Sequence, residues 1–176
     1  ETGFDMGSGI TEINKDTFWQ LIEETKNQCG QDMDASISWI KKELLSMPPE
    51  QSLQFHAIMH GYRDLADKYG LWTAAIFIKE YGCSDDGFMD FRAWLIAQGK
   101  DIYMAALENP DSLTRVEQYG DCEFELLNYV GDYAYQELTG RSAYVDCTPE
   151  MEKRVLEEIS GAVSYTHLRA HETLMN

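Results

Sequence analysis

The stretch from Gly82 to Gly99 reads GCSDDGFMDFRAWLIAQG and combines a short polar turn with a helix that is apolar on almost every side. Beyond the first turn of that helix, the only polar residues are Asp90, Arg92 and Gln98. Such a helix is typical of the interior of a fold, and a charged side chain in an interior requires a partner. We therefore expect residues 86–98 to form a buried central helix.

Helical periodicity extends over most of the chain. Apolar residues recur at spacings of three and four in segments bounded by glycine and proline, and we find no convincing β-strand alternation. The sequence predicts an all-α fold, a compact single-domain array of helices around residues 86–98. The other predicted helices cover 15–28, 34–46, 50–69, 71–81, 101–108, 122–138 and 150–160. Gly70 is expected to cap the helix over 50–69, and the helix over 122–138 is expected to be continuous.

The charge balance argues against two classes of partner. The 176 residues include 31 acids and 14 bases, a net charge of −17, and the acids are spread along the chain. This pattern indicates either a solvated acidic surface or a surface that binds a cationic partner. It repels phosphate, so we expect no nucleic acid partner and no binding to anionic membranes. No apolar run approaches the roughly 20 residues that cross a bilayer.

The spacing of the cysteines bears on the cellular compartment, and the absence of known motifs bears on whether the protein binds a cofactor. Cys29, Cys83, Cys122 and Cys147 lie far apart and form no CxxC pair. Free thiols in a reducing cytoplasm are the simplest account of this spacing. The sequence lacks phosphate-binding glycine loops, hydrolase elbows and nucleotide fingerprints, so we expect no cofactor.

The two ends differ from the rest of the chain. Residues 1–9 read like a leader added in cloning and lack the apolar stretch of a secretory signal. Residues 162–176 lose both the apolar periodicity and the acidic character, and they look non-native. We therefore assign a single helical domain to residues 10–161.

Arg92 defines the first candidate site. If its helix is enclosed, the guanidinium needs a carboxylate or several carbonyl groups. We expect Asp85, Asp86 or Asp111, each beside a turn that could fold back, to be its partner, and one interpretation is a buried ion pair that fixes this turn onto the core. The other is a site in which the guanidinium binds an anionic ligand beside these acids. The candidate ligand-binding residues are Asp85, Asp86, Arg92, Trp94 and Asp111.

Three other constellations favour a structural interpretation. His56 and His60 could face one metal ion, but the residues between them lack the glutamate of the zinc-protease pattern, which favours a hydrogen-bonded flank. The acids at positions 85 and 86 lack the alternating ligands of a calcium loop. Cys83 precedes a helix but has no assigned base, which favours a thiol packed in a turn. We expect no metal site.

The central residues also resemble a known family. The run from Gly82 to Phe88, followed by Phe91-Arg92, Trp94-Leu95-Ile96, Gln98-Gly99 and Pro110-Asp111-Ser112-Leu113, is similar to the bacterial "domain of unknown function 4240" family. Phe18-Trp19 and Leu71-Trp72 also resemble it, and the resemblance spans about Asp16 to Gly140. It implies a small, bacterial, mostly helical domain, and it supplies no catalytic residues.

The sequence contains no convincing catalytic constellation. We therefore predict a non-enzymatic, cytoplasmic module that binds a protein or a small ligand. The alternative is an enzyme acting on a small polar or anionic substrate, with Arg92 orienting the substrate and Asp85 or Asp86 as acid or base. A third hypothesis is a domain that stabilises a larger assembly.

Overall fold

The computed structural model describes residues 7–80 and 82–161, and every regular element in these ranges is a helix. The predicted all-α class is confirmed. Most of the predicted leader and the whole predicted tail lie outside the described residues. The α-helices are α1 (Lys15–Cys29), α2 (Met33–Leu45), α3 (Pro49–Leu65), α4 (Tyr69–Ile78), α5 (Asp85–Ala97), α6 (Lys100–Glu108), α7 (Val130–Thr139), α8 (Ala143–Asp146) and α9 (Pro149–Ser160). Two 3-10 helices, η1 (Pro110–Arg115) and η2 (Glu125–Asn128), lie between α6 and α7.

The helix α5 is buried, as the sequence predicts. The Ser84 hydroxyl caps it by accepting from the backbone N–H of Gly87 at 3.1 Å. Its aromatic side chains form a row from Phe88 through Phe91 to Trp94, with ring centroids 6.4 and 5.6 Å apart, and all three are almost wholly shielded from solvent. These three residues lie three positions apart, so they share one face of α5 and fill the apolar interior.

The helix α3 shares the centre with α5. It packs against α2, α5, α7 and α9, and the first helix, α1, lies against α2, α5 and α3 itself. Phe55 and Tyr62 of α3 meet Phe18 and Trp19 of α1, with ring centroids between 4.7 and 5.6 Å apart. A second aromatic cluster therefore joins the start of the chain to the middle of the fold.

The helix α3 ends earlier than predicted. Apolar spacing continues through Tyr69, but α3 ends at Leu65 and Gly70 lies inside the first turn of α4. The N–H of Ala66 donates to both Tyr62 and Arg63 carbonyls, at 3.1 and 3.2 Å, which tightens the last turn. The prediction of a Gly70 cap was wrong, because the Tyr62 and Arg63 carbonyls bind Ala66 and the tertiary partners described below, and α3 ends before it reaches Gly70.

The predicted continuous helix over 122–138 is also wrong. Residues before Phe124 form a loop, η2 follows, and α7 begins only at Val130. The backbone N–H of Phe124 donates to the carbonyl of Asp90 at 2.9 Å, and Cys122 has a φ of 51°. This tertiary hydrogen bond ties the segment to α5, and the positive φ of Cys122 takes the backbone out of the right-handed helical region.

One glycine permits the close approach of α7 to α3. A Cβ atom on Gly131 would lie 3.0 Å from the Cβ and 3.1 Å from the backbone N of His56. The backbone of α3 cannot yield without moving the helix, so we expect Gly131→Ala to lower the free energy of unfolding by about 2 kcal/mol. Chemical denaturation measures this loss.

A matched control is Gly61→Ala. Its added Cβ would meet the Cδ1 atom of Ile159, which is the end of a flexible side chain and can rotate away. We expect a loss of less than about 1 kcal/mol, because alanine also favours the helix. Equal losses in the two variants would contradict the close approach at Gly131.

The helix α4 is apolar and yet peripheral. Leu71 and Ala75 are buried, whereas Tyr69 and Phe77 are 82% and 79% exposed. In the part of the chain that the structure describes, none of the helices has the length and apolar character that crossing a bilayer requires.

Candidate functional site

The guanidinium of Arg92 faces backbone carbonyl groups in the interior. Arg92 is 8% exposed, its Nη1 donates to the carbonyl of Arg63 at 2.9 Å, and its Nε donates to the carbonyl of Phe88 at 3.3 Å. The Cζ atom lies 4.6 Å from the centroid of the Phe88 ring, within the range of a cation–π interaction. The carboxylate partner is Asp67, whose Oδ2 lies 3.9 Å from Nη1.

Arg92 thereby caps the C-terminal end of α3. The last carbonyl groups of a helix carry partial negative charge, and each can accept a further hydrogen bond. Arg92 binds the carbonyl of Arg63, and the buried hydroxyl of Tyr103 donates to the carbonyl of Tyr62 at 2.6 Å. The lone cation of the central helix thus has a structural partner in the fold.

The other predicted site residues lie apart from this contact. Asp85 and Asp86 are exposed in the first turn of α5, and Asp111 is exposed in η1. Trp94 is fully buried, and its Nε1 has no hydrogen-bond partner among the described residues. The expectation that one of the three aspartates pairs with Arg92 was wrong. A ligand-binding role for the five residues stays a prediction.

The histidines of α3 belong to a hydrogen-bonded cluster. His60 Nε2 contacts the carbonyl of Asn128 at 3.0 Å, and its Nδ1 lies 3.3 Å from Nη2 of Arg63. Because the guanidinium only donates, Nδ1 must accept and Nε2 must carry the proton. The His56 ring lies 4.0 Å from that of His60, and the Tyr144 ring meets His56 edge-on at 4.7 Å.

This environment keeps both imidazoles neutral. Burial, followed by the neighbouring His60 and Arg63, lowers the pKa of His56 to about 3. Burial and then Arg63 lower the pKa of His60 to about 4. Both ring nitrogens of His60 are engaged, so it has no lone pair left for a metal ion. Within residues 7–80 and 82–161, no three histidine, cysteine or acidic side chains are grouped as a metal site would require.

A cleft lies elsewhere, at the far end of α5. Its volume is about 740 Å³, and it is open to solvent between the end of α1, the junction of α5 with α6, and η1. The Gln98–Gly99 turn at that junction brings the three elements together, because Gly99 has a φ of 105° that favours glycine. The residues that define the cleft are Lys26, Gln98, Asp101, Ile102, Arg115 and Tyr119.

Gln98 organises the floor of the cleft. It is 5% exposed, and its Nε2 donates to the carbonyl of Trp94 at 2.9 Å and to the hydroxyl of Tyr119 at 3.1 Å. Lys26 reaches over from α1, and its Nζ donates to the backbone carbonyl of Gln98 at 3.0 Å. A cation at this point satisfies a carbonyl at the end of α5.

A second, much smaller cavity adjoins the cleft. Its volume is about 20 Å³, enough for about one water molecule. Lys26, Gly30, Gln31 and Tyr119 line both spaces. The shared residues place Tyr119 at the boundary between the open cleft and the apolar interior.

Most residues of this cleft carry no signal in the sequence that marks them as candidates. Gln98 was visible as a polar residue in the apolar central helix, and that signal could have marked it as a candidate. Lys26, Arg115 and Tyr119 carry no motif, and they are separated from one another by as many as 93 positions in the chain. Only the packing of α1 and η1 against the end of α5 brings them together.

Comparison with known proteins agrees with the resemblance noted in the sequence. The family model described as "Protein of unknown function (DUF4240)" matches residues 13–137, which is most of the chain. Neither the curated proteins nor the solved structures include a significant match. The matched range contains α1 to η2 and nearly all of α7, together with every residue of the cleft. The chain therefore belongs to the DUF4240 family of proteins of unknown function.

Proposed function

We propose that this protein is a non-enzymatic module that binds a small molecule in the cleft between α1, α6 and η1. The observation that carries the proposal is the cleft itself. Its volume of about 740 Å³ lies within the usual range for small-molecule sites, about 300–1,000 Å³.

The lining of the cleft supports this proposal. Ile102, Ala105 and Val116 supply apolar wall, and Gln98 and Tyr119 supply polar atoms at defined positions. A cleft that combines apolar wall with converging polar groups is typical of a ligand site. Gln98 is held by two hydrogen bonds, so its amide is oriented before any ligand arrives.

A fragment titration followed by NMR tests the proposal. We expect fragments to shift the backbone resonances of the cleft residues and to raise thermal stability. A ligand at 100 times its Kd adds about 2.7 kcal/mol to the free energy of unfolding. We expect Ala105→Phe, which fills the cleft with a ring, to weaken fragment binding at least about tenfold, or about 1.4 kcal/mol.

The control for this experiment is Glu152→Phe, which adds the same ring to an exposed position on α9. It should leave fragment binding unchanged. If no fragment shifts the cleft resonances, or if Ala105→Phe binds fragments as the wild-type protein does, the cleft is not a ligand site.

The enzyme alternative has less support. It requires Arg92 to face a substrate beside Asp85 or Asp86. The guanidinium instead contacts the carbonyls of Arg63 and Phe88, and both aspartates are exposed at the start of α5. The contacts of Arg92 favour a structural role.

The proposal also covers the binding partners of the protein and its location in the cell. The net charge of −17 supports a protein that binds neither nucleic acid nor anionic membranes. All four cysteines are free, which supports a cytoplasmic location, and the family resemblance supports a bacterial source. A protein partner stays a prediction, because nothing in the described residues shows what covers Tyr69 and Phe77 of α4.

A further inference from the structure

We infer that the ligand of this cleft is a small oxyanion, a carboxylate or a phosphate, that carries a hydrogen-bond donor beside its acidic group. The inference rests on the proposed function and names the chemistry of the ligand. It follows from the hydrogen bonds that the cleft residues make and from those that they leave unmade.

Gln98 leaves one acceptor unused. Its Nε2 has two hydrogens, which go to the carbonyl of Trp94 and the hydroxyl of Tyr119. The carbonyl of Trp94 can only accept, so the amide cannot turn over to present its oxygen there. Among the described residues no group donates to Oε1 of Gln98, although the side chain is nine-tenths buried and lines the cleft. An amide oxygen that accepts from no described group can accept from a ligand that carries a donor.

Three other groups that line the cleft have hydrogens that no described acceptor uses. The hydroxyl of Tyr119 accepts from Gln98, so its own proton remains free to donate. Nζ of Lys26 uses one of its three hydrogens on the carbonyl of Gln98. Arg115 is exposed at the edge of the cleft and has no ion-pair partner in the part of the chain that the structure describes. Charge-assisted hydrogen bonds from such groups suit an oxyanion.

The charges along the cleft also favour an anionic ligand. The chain has 14 bases and 31 acids, but two bases, Lys26 and Arg115, balance two acids, Asp101 and Glu117, along the cleft. An anion is therefore repelled less in the cleft than over the rest of the surface. The unused oxygen of Gln98 and the free hydrogens of the other cleft residues then favour an acid that carries a hydrogen-bond donor next to its acidic group.

A matched panel of compounds tests this inference. It contains hydroxy acids, N-acetyl amino acids and hydroxyalkyl phosphates, each with a counterpart whose donor is methylated and a counterpart whose acid is neutralised as an amide or ester. Binding is measured by NMR titration of the cleft resonances. We expect the best parent compounds to bind about tenfold more tightly than either counterpart, which is about the effect of losing one hydrogen bond. The donor is varied on the ligand because a substitution of Gln98 could disturb the buried end of α5.

Two variants of the protein complete the test. Arg115→Ala should weaken binding of the parent acids about tenfold and leave their amides unaffected. Arg154→Ala removes the same charge from an exposed position on α9 and should change neither. The preference between carboxylates and phosphates identifies which oxyanion the cleft takes.

The outcomes separate this inference from the proposed function. If neutral compounds bind in the cleft as tightly as the acids, or if methylation of the donor has no effect, the ligand chemistry is wrong and the proposed function survives. If no panel compound and no fragment of any class binds in the cleft, both are overturned.

Discussion

Replacing Arg92 by alanine is expected to lower the free energy of unfolding by about 3 kcal/mol, because the change removes two hydrogen bonds to backbone carbonyls in the interior and opens a cavity. The guanidinium donates to the carbonyls of Arg63 and Phe88 and covers the Phe88 ring. The loss should appear as a lower denaturant midpoint with an unchanged slope, measured by urea unfolding monitored by circular dichroism.

Two variants make the result specific to the cap. Arg92→Lys keeps the charge but has one donor group in place of the planar guanidinium, so we expect an intermediate loss. Arg154→Ala removes an exposed cation and should change stability by less than about 0.5 kcal/mol. If Arg92→Ala unfolds like the wild-type protein, Arg92 does not stabilise the end of α3.

Lowering the pH from about 7.5 to about 5 is expected to reduce the free energy of unfolding by about 4 kcal/mol, roughly half from each of His56 and His60. Their pKa values in the folded protein are about 3 and about 4, below the ordinary value of 6.5. The unfolded chain therefore takes up protons as the pH falls through 6.5, while the folded chain does not. Stability is fully present above pH 6.5 and is lost as the pH falls towards the folded values.

Two carboxylates near the histidine cluster affect the pH dependence of stability differently from the histidines. Burial, Glu125 and Glu123 raise the pKa of Asp90 to about 6. A raised carboxylate pKa favours the folded state as the pH falls, so Asp90 opposes the histidines, by an amount that solvent reduces because the side chain is partly exposed. Hydrogen bonds from Arg141 and Tyr135 lower the pKa of Asp146 to about 2, so its contribution is lost only at lower pH.

The histidine contribution is isolated by substitution. We expect His60→Gln to reduce the loss of stability between pH 7.5 and pH 5 by about half, and Asp90→Asn to enlarge it. Urea unfolding at the two pH values and constant ionic strength measures both. If His60→Gln shows the same pH dependence as the wild-type protein, His60 does not remain neutral in the folded state.

The ends of several helices could be predicted because short-range chemistry sets them. Asn14 accepts from the N–H groups of Asp16 and Thr17, as a cap of α1 must, and Thr148 followed by Pro149 starts α9. In these places a side chain and the backbone that it caps lie within a few residues of each other. Local sequence is sufficient there.

Two other boundaries could not be predicted for the opposite reason. The end of α3 depends on Arg92 and Tyr103, which lie some 30 to 40 positions further along the chain. The start of η2 depends on the hydrogen bond from Phe124 to Asp90. Apolar spacing continues through both boundaries, so periodicity alone extends the helices too far.

The sequence alone established that the chain folds as an all-α domain around the apolar helix that contains Arg92, and that this cation has a partner in the interior. Those properties follow from the spacing of apolar residues and from the cost of an unpaired buried charge. Tertiary structure decided which groups bind the cation and where a cleft lies. Lys26, Gln98 and Arg115 meet only because α1 and η1 pack at the end of α5, and contacts between distant segments leave no periodic trace in the sequence.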